Sequence, residues 1–376
     1  MSQSHEHHAE EESDVPSSLS VMDKYKTAGK IAGAVIERLV TLCKPGASCF
    51  ELCRIGDKMI AEKTAKVFSR DKMLKKGVAF PTCISPNHFV CHFSPLKSED
   101  LVLSDNDVVK IDLGVQIDGY AACVATTCVV GASKDNRVKG RKADTIIAAH
   151  RAAELALKCM KVGKTVRLHS TKESQYNRND IKNLMSYNTY KNVLEGHKKI
   201  LLNPSEAARK DYPEQEFSEW DVFYLDVFIT NCEESKAKTG DTRTTVFRRT
   251  GNNFDLRGTT SKDMFRRIIA DYQEFGFSLN SFEDENKSKL GVKECVDHSL
   301  LISYPVLFVE EPDIVAHFKF TVVITPKGPI KIVSPPFKPE EFSSTKKIIL
   351  PELIKLNDEP LTIKNKVKKQ EVTASA

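Results

Sequence analysis

No run of apolar residues in this chain approaches the ~18 needed to cross a bilayer, so no membrane span is expected. The opening stretch, Met1 to Asp14, has neither the basic nor the apolar region of a secretory signal. It is acidic and polar, and residues 1–21 are expected to form a disordered tail whose His5, His7 and His8 are solvated. No two cysteines form a CxxC pair, which removes the common zinc patterns. Cys43, Cys49, Cys53, Cys83, Cys91, Cys123, Cys128, Cys159, Cys232 and Cys295 fall mostly in apolar patterns. They are expected to be buried free thiols in a reducing compartment, the cytosol and also the nucleus or nucleolus. Tryptophan occurs once, at Trp220, where core packing is expected. Gly163-Lys164-Thr165 looks like the end of a phosphate-binding loop, but the segment Leu157 to Lys161 holds no glycine, so that reading is discounted.

What is present points to a large folded body. The 376 residues are 40% hydrophobic, enough to bury an extensive core as one big domain or two ordinary ones. Net charge is +5, unevenly placed. Basic residues gather at Lys134–Lys142, at Lys236–Arg267 and in the tail Lys364–Lys369. That asymmetry fits an anionic surface partner better than a small acidic substrate.

Hydrophobic spacing orders the elements. Asp23 can cap a helix carrying Ile31, Val35, Leu39 and Leu42 on one face and ended by Pro45-Gly46; a second helix covers Phe50 to Phe68. Strand-like segments follow, and then a hairpin around Asp112. A basic loop leads into a helix from Ala143 to Lys161, with Ala148, Ala152, Leu155 and Cys159 sharing a face. From Val162 to Asn183 no amphipathic helix can be found to open the second half. Ser186 to Leu194 reads as a short helix or strand, and Phe217 to Thr230 opens a second hairpin that returns through Arg243 to Phe247. Asp226 there stands where Asp112 stands on the first hairpin, which predicts a pseudo-symmetric α/β body. Residues 259–307 read as a small inserted helical subdomain. Val315 to Ile324 is a strand, and 341–376 is a polar, lysine-containing tail in which only Ile348 to Leu356 can dock.

The first hairpin carries the chemical question. Asp112 lies on one strand and, eleven residues later, Cys123 lies on the other. A hard divalent cation held there needs anionic oxygen from both strands. A thiol suits softer metals, so this hairpin argues against an enzyme before any fold is named. A Cys123/His92 hydrolase is the nearest alternative chemistry, but no orienting third group can be named for it. Taken alone, His92 and His317 read as core or pocket histidines.

Seven segments together resemble the methionine aminopeptidase superfamily. They are Lys24-Tyr-Lys, Gly77-Val-Ala-Phe-Pro-Thr, Cys91-His-Phe-Ser-Pro-Leu-Lys-Ser, Val109-Lys-Ile-Asp-Leu-Gly-Val, Gly140-Arg-Lys-Ala-Asp, Phe282-Glu-Asp-Glu and His317-Phe-Lys-Phe-Thr-Val. The resemblance is nearest to its non-peptidase branch, the proliferation-associated, ErbB-binding protein family. It implies an α/β, pseudo-two-fold pita-bread fold over residues 22–340, with the inserted subdomain, which is winged-helix-like, inside it. The five metal-ligand positions of the peptidases fall at Asp112, Cys123, Tyr187, Asp226 and Lys319, and His92 falls where the peptidases contact substrate. Only two acids remain, and Lys319 brings an ammonium where a carboxylate belongs. The implied site has no metal, no cofactor and no catalysis. The implied partners are the large ribosomal subunit near its exit tunnel, and ribosomal RNA, with roles in ribosome biogenesis, translation and growth. Receptor tails or transcription factors are the alternative partners, and a residual metal-dependent aminopeptidase the alternative activity. The family's lysine-dense tail is abbreviated here. A monomer is expected. Arg137, Lys139, Arg141, Lys142, Lys236, Lys238, Arg243, Arg248, Arg249, Arg266 and Arg267 are the RNA-binding candidates, chosen on charge.

Overall fold

Alternation along four long strands sets the architecture. The computed structural model describes residues 15–165, 179–181, 184–201, 210 and 215–362. Two helices come first, α1 (Leu19–Leu42) and α2 (Cys49–Ala65). Strands β1 (Lys76–Pro86), β2 (Phe89–Cys91), β3 (Val108–Ile117) and β4 (Tyr120–Val129) lead to α3 (Gly140–Cys159). Short strands β5 (Asn179–Asp180), β6 (Met185–Thr189) and β7 (Lys199–Leu201) precede β8 (Val222–Thr230). Then come β9 (Lys238–Thr239), β10 (Val246–Arg249), α4 (Thr259–Asp271), β11 (Gly276–Ser278) and α5 (Glu285–Asp297). The chain finishes with β12 (Leu301–Tyr304), β13 (Leu307–Phe308), β14 (Val315–Thr325), β15 (Gly328–Val333) and α6 (Pro351–Asp358).

The main sheet runs β1-β3-β4-β14-β8-β6-β7, with β15 added to β14 and β5 to β8. On β3, Val109, Ile111, Leu113, Val115 and Ile117 join the core under α1 and α2. On β8 and β14, Leu225, Val227, Phe318 and Phe320 pack under α3. Successive strand residues point to opposite faces, so Lys110, Asp112, Cys123, Asp226, His317 and Lys319 share the other face. Each half therefore buries one apolar face against helices and turns its polar positions to a common concave side. A smaller sheet, β11-β10-β12, is covered by α4 and α5 around Phe247, Met264, Ile268, Phe277 and Val292. This unit begins before Thr259, because its central strand β10 starts at Val246.

Several expectations are corrected. The segment ending at Phe247 does not return as a hairpin beside Phe217–Thr230; β8 pairs with β14 and β6, and β10 belongs to the small sheet. Helix α1 starts at Leu19 with Ser18 at its N-cap, so Asp23 lies inside it and residues 19–21 are helical. On α3, Ala152, Leu155 and Cys159 are only partly buried, and the stripe Ala149, Ala153, Ala156 and Leu157 faces the sheet. Trp220, at a positive φ of 68°, does pack against the core around Tyr25, Tyr120 and Val222, but is only partly buried. All ten thiols are free, nine of them buried. Helix α6 contributes no buried residue and is held at α3 by Lys158, which donates to the Asn357 carbonyl, and just past both helices by Lys161 and Glu359, 3.1 Å apart. His5, His7, His8 and the lysines from Lys364 to Lys369 lie outside the described residues, as does most of 162–183. No helix among the described residues is long and apolar enough to cross a membrane.

Candidate functional site

Strand register brings the central residues onto one line. Asp112 is opposite Ala125, Ala125 is opposite Lys319, and Lys319 is opposite Asp226, across β3, β4, β14 and β8. Opposed residues point to the same face. Ala125 has only a methyl group, so the Lys319 side chain passes over it to reach β3. Its Nζ lies 2.7 Å from Asp112 Oδ2 and 3.1 Å from Asp226 Oδ2. Two residues back along β14, His317 Nε2 meets the other oxygen of Asp226, while the imidazole stacks on Phe228 at 3.8 Å. Cys123 sits two residues before Ala125 on the same face, opposite Gly114. A Cβ at Gly114 would lie 2.6 Å from Cys123 Sγ, so glycine gives the thiol its room.

Opposite charges meet within this line. Burial penalises both ions. The two carboxylates nevertheless raise Lys319 well above the usual lysine range. Burial opposes ionisation of Asp226 as well, but Lys319 and then His317 outweigh it and hold the carboxyl below its ordinary value. Burial pushes the Cys123 thiol up to about 12, against the pull of Lys319, so it is a neutral thiol near neutral pH. Asp112 Oδ1 is the one buried carboxylate oxygen here with no hydrogen bond among the described residues.

The residues present do not fit the two-cation centre of an aminopeptidase. Such a centre needs bridging carboxylates around two metals a few ångströms apart. Here the space between Asp112 and Asp226 is taken by an ammonium nitrogen within 3.1 Å of both. The thiol at Cys123 is soft, protonated and a poor ligand for hard cations. Tyr187 lines the same pocket but directs its hydroxyl to Met185 Sδ at 3.4 Å.

The pocket in front of the line measures about 220 Å³. His92 lies in its wall at a φ of 66°, with Nδ1 3.0 Å from the Pro305 carbonyl oxygen. Burial lowers its pKa below the ordinary histidine range. Beside His92 stands a closed ring of side chains that charge counting missed. Tyr304 donates to Glu195 Oε1 at 2.8 Å, and Arg248 donates to Glu195 Oε2 at 3.1 Å and to the Tyr304 oxygen at 3.0 Å. No short motif joins residues 195, 248 and 304, so sequence offered no signal for it.

The basic candidates divide by environment. Arg248 is part-buried and held by the pocket-wall residues Glu195 and Tyr304, and Arg249 is part-buried and paired with Glu274. Lys238, Arg243, Arg266 and Arg267 are exposed but bridge to Glu310, Glu99, Asp263 and Asp271. Lys236 is exposed. Arg137, Lys139 and Arg141 are exposed together, and Lys142 donates to the Asn106 carbonyl. This segment is pinned by Val138, which is buried and exchanges backbone hydrogen bonds with Glu341 and Ser343 at 2.9 Å each.

Comparison with known proteins agrees with this geometry. Residues 23–178 match the model of metallopeptidase family M24. The "Curved DNA-binding protein" of Schizosaccharomyces pombe is 34% identical, with 98% of each chain covered. "Proliferation-associated protein A" of Dictyostelium discoideum is 36% identical over 86% of each chain. The solved structure of a thermophilic Arx1 superposes with a TM-score of 0.83 at 31% identity, covering 92% of this chain and all of that one. The fold is thus the α/β pita-bread fold of methionine-aminopeptidase-like proteins. The chain belongs to the proliferation-associated, ErbB-binding family, the non-peptidase branch of that superfamily.

Proposed function

We propose that this protein is a non-catalytic, methionine-aminopeptidase-like factor that binds structured RNA on the large ribosomal subunit, near the exit tunnel. The observation that carries the first half is Lys319 bridging Asp112 and Asp226 where a dinuclear centre would need metal. One ammonium sits between the two buried carboxylates where a cation pair would sit, so no metal-bound water is activated there for hydrolysis. Arg137, Lys139 and Arg141 support the second half. They stand on a segment fixed at Val138 and lead into the N-terminus of the 20-residue helix α3, whose dipole adds to their positive field. A fixed basic array of this kind engages phosphates through charge and shape, with no need for base-specific contacts. The S. pombe relative is named for binding DNA, which fits a polyanionic partner. Roles in ribosome biogenesis and growth, in cytoplasm and nucleus, follow from the same reading.

Sedimentation tests it. Wild-type protein should co-migrate with large ribosomal subunits at low salt and leave them at high salt. Reversing Arg141 and Lys142 to glutamate should weaken that association and flatten its salt dependence. Unchanged co-migration of the double variant would remove this surface from the proposal.

A further inference from the structure

A second cavity, of about 490 Å³, shares no lining residue with the pocket at Lys319. It lies where α2 and the start of β1 meet the small unit, a kind of junction at which small-molecule sites are common. Arg54, Asp57 and Lys58 come from α2, Lys76 from β1, and Tyr272 and Asn280 from the small unit.

The hydrogen-bond inventory of this wall leans toward acceptors. Asp57 accepts the Thr82 backbone N–H at 2.8 Å, and the buried Thr82 hydroxyl lies against the same carboxyl. Asn280 is 4% exposed and donates its amide to Ser94 Oγ at 2.8 Å, which leaves its carbonyl oxygen buried without a partner among the described residues. The nearby cations are turned elsewhere. Arg54 lies over the Phe50 ring, Lys58 faces Glu62, and Lys76 donates to the Val67 carbonyl. Asp271, the other acid at the wall, is bridged by Arg267. What remains unmet is acceptor capacity and one negative charge. An anion is excluded by Asp57. A hard metal ion would ask for several carboxylates, and only one is uncommitted.

We propose that this cavity binds a small organic cation, an ammonium or guanidinium on a short aliphatic chain, with Asp57 as counter-charge and Asn280 as second acceptor. Burial, partly offset by the Thr82 N–H, pushes the Asp57 carboxyl up to about 7, so binding must compete with a proton near neutral pH. Of the other ionisable groups around Asp57, burial raises Cys53, Cys83 and Tyr272 above their ordinary values, and Arg54, Lys58 and Lys76 are the nearby basic side chains.

Calorimetric titration of the full chain with agmatine, at constant ionic strength, tests this. Saturable one-to-one binding is expected, tighter at pH 8 than at pH 6, with protons released on binding at pH 7. Asp57→Asn keeps an acceptor for Thr82 but loses the charge, and should weaken binding by about tenfold or more. The pH and proton-release measurements need no variant, so they decide the matter even if Asp57→Asn folds poorly. Absence of saturable binding, equal binding by Asp57→Asn, or affinity independent of pH with no proton release would overturn the site.

Discussion

At Lys319 one ammonium bridges two carboxylates that the sheet register holds in place. Removing one member of a buried ion group is costly because its partners stay buried and charged. Lys319→Met should therefore lower stability by about 3–5 kcal/mol at pH 7, read by urea unfolding. The pH dependence follows from the signs. Asp226 is held below its unfolded value, so its contribution is present above about pH 4 and is lost as pH falls further. Lys319 is held above its unfolded value, so its contribution is lost only as pH rises beyond about 10. Wild-type stability from this group should thus be flat between those limits. In Lys319→Met, burial of the Asp226 carboxyl is no longer opposed by the ammonium, so acidification from pH 7 to 5 should recover part of the lost stability. A variant as stable as wild type at pH 7 would mean that the bridge contributes nothing. Asp112, Cys123, Asp226 and Lys319 were legible in the sequence because each sits in a local strand motif. The pairing of His317 with Asp226, and the ring of Glu195, Arg248 and Tyr304, were not, since both arise between distant strands.

Between elements, α1 crosses close over β15. A Cβ at Gly29 would lie 2.5 Å from the Ile332 carbonyl oxygen, which is backbone and cannot swing aside. Alanine improves helix propensity by about 0.5–1 kcal/mol, but overpacking costs about 1–3 kcal/mol. Gly29→Ala should accordingly lower Tm in thermal unfolding, and an unchanged or higher Tm would show that the helix can slide. The helices themselves were readable from their 3.6-residue spacing. The face of α3 was not, because alanine occurs on several sides of it and gives little contrast. The partner of β8 was misread for a similar reason. The segment ending at Phe247 has the composition of a strand, yet which sheet it joins is decided by packing around Phe277 and Met264.

For the whole molecule, two helix-backed halves share one sheet, and their polar faces meet in the line from Asp112 to Asp226. The same scaffold that could present ligands to metals here presents an ion group bridged by a lysine. The exposed basic segment at Arg137–Arg141 lies on α3 and the loop before it, so surface binding and the degenerate site need not depend on each other. The most direct test is metal content measured together with turnover of a methionyl peptide, on purified protein supplied with manganese or cobalt. Less than stoichiometric metal and no turnover above background are expected. Two metal ions per chain, with turnover that disappears in Asp112→Asn, would contradict the replacement of the metal centre by Lys319.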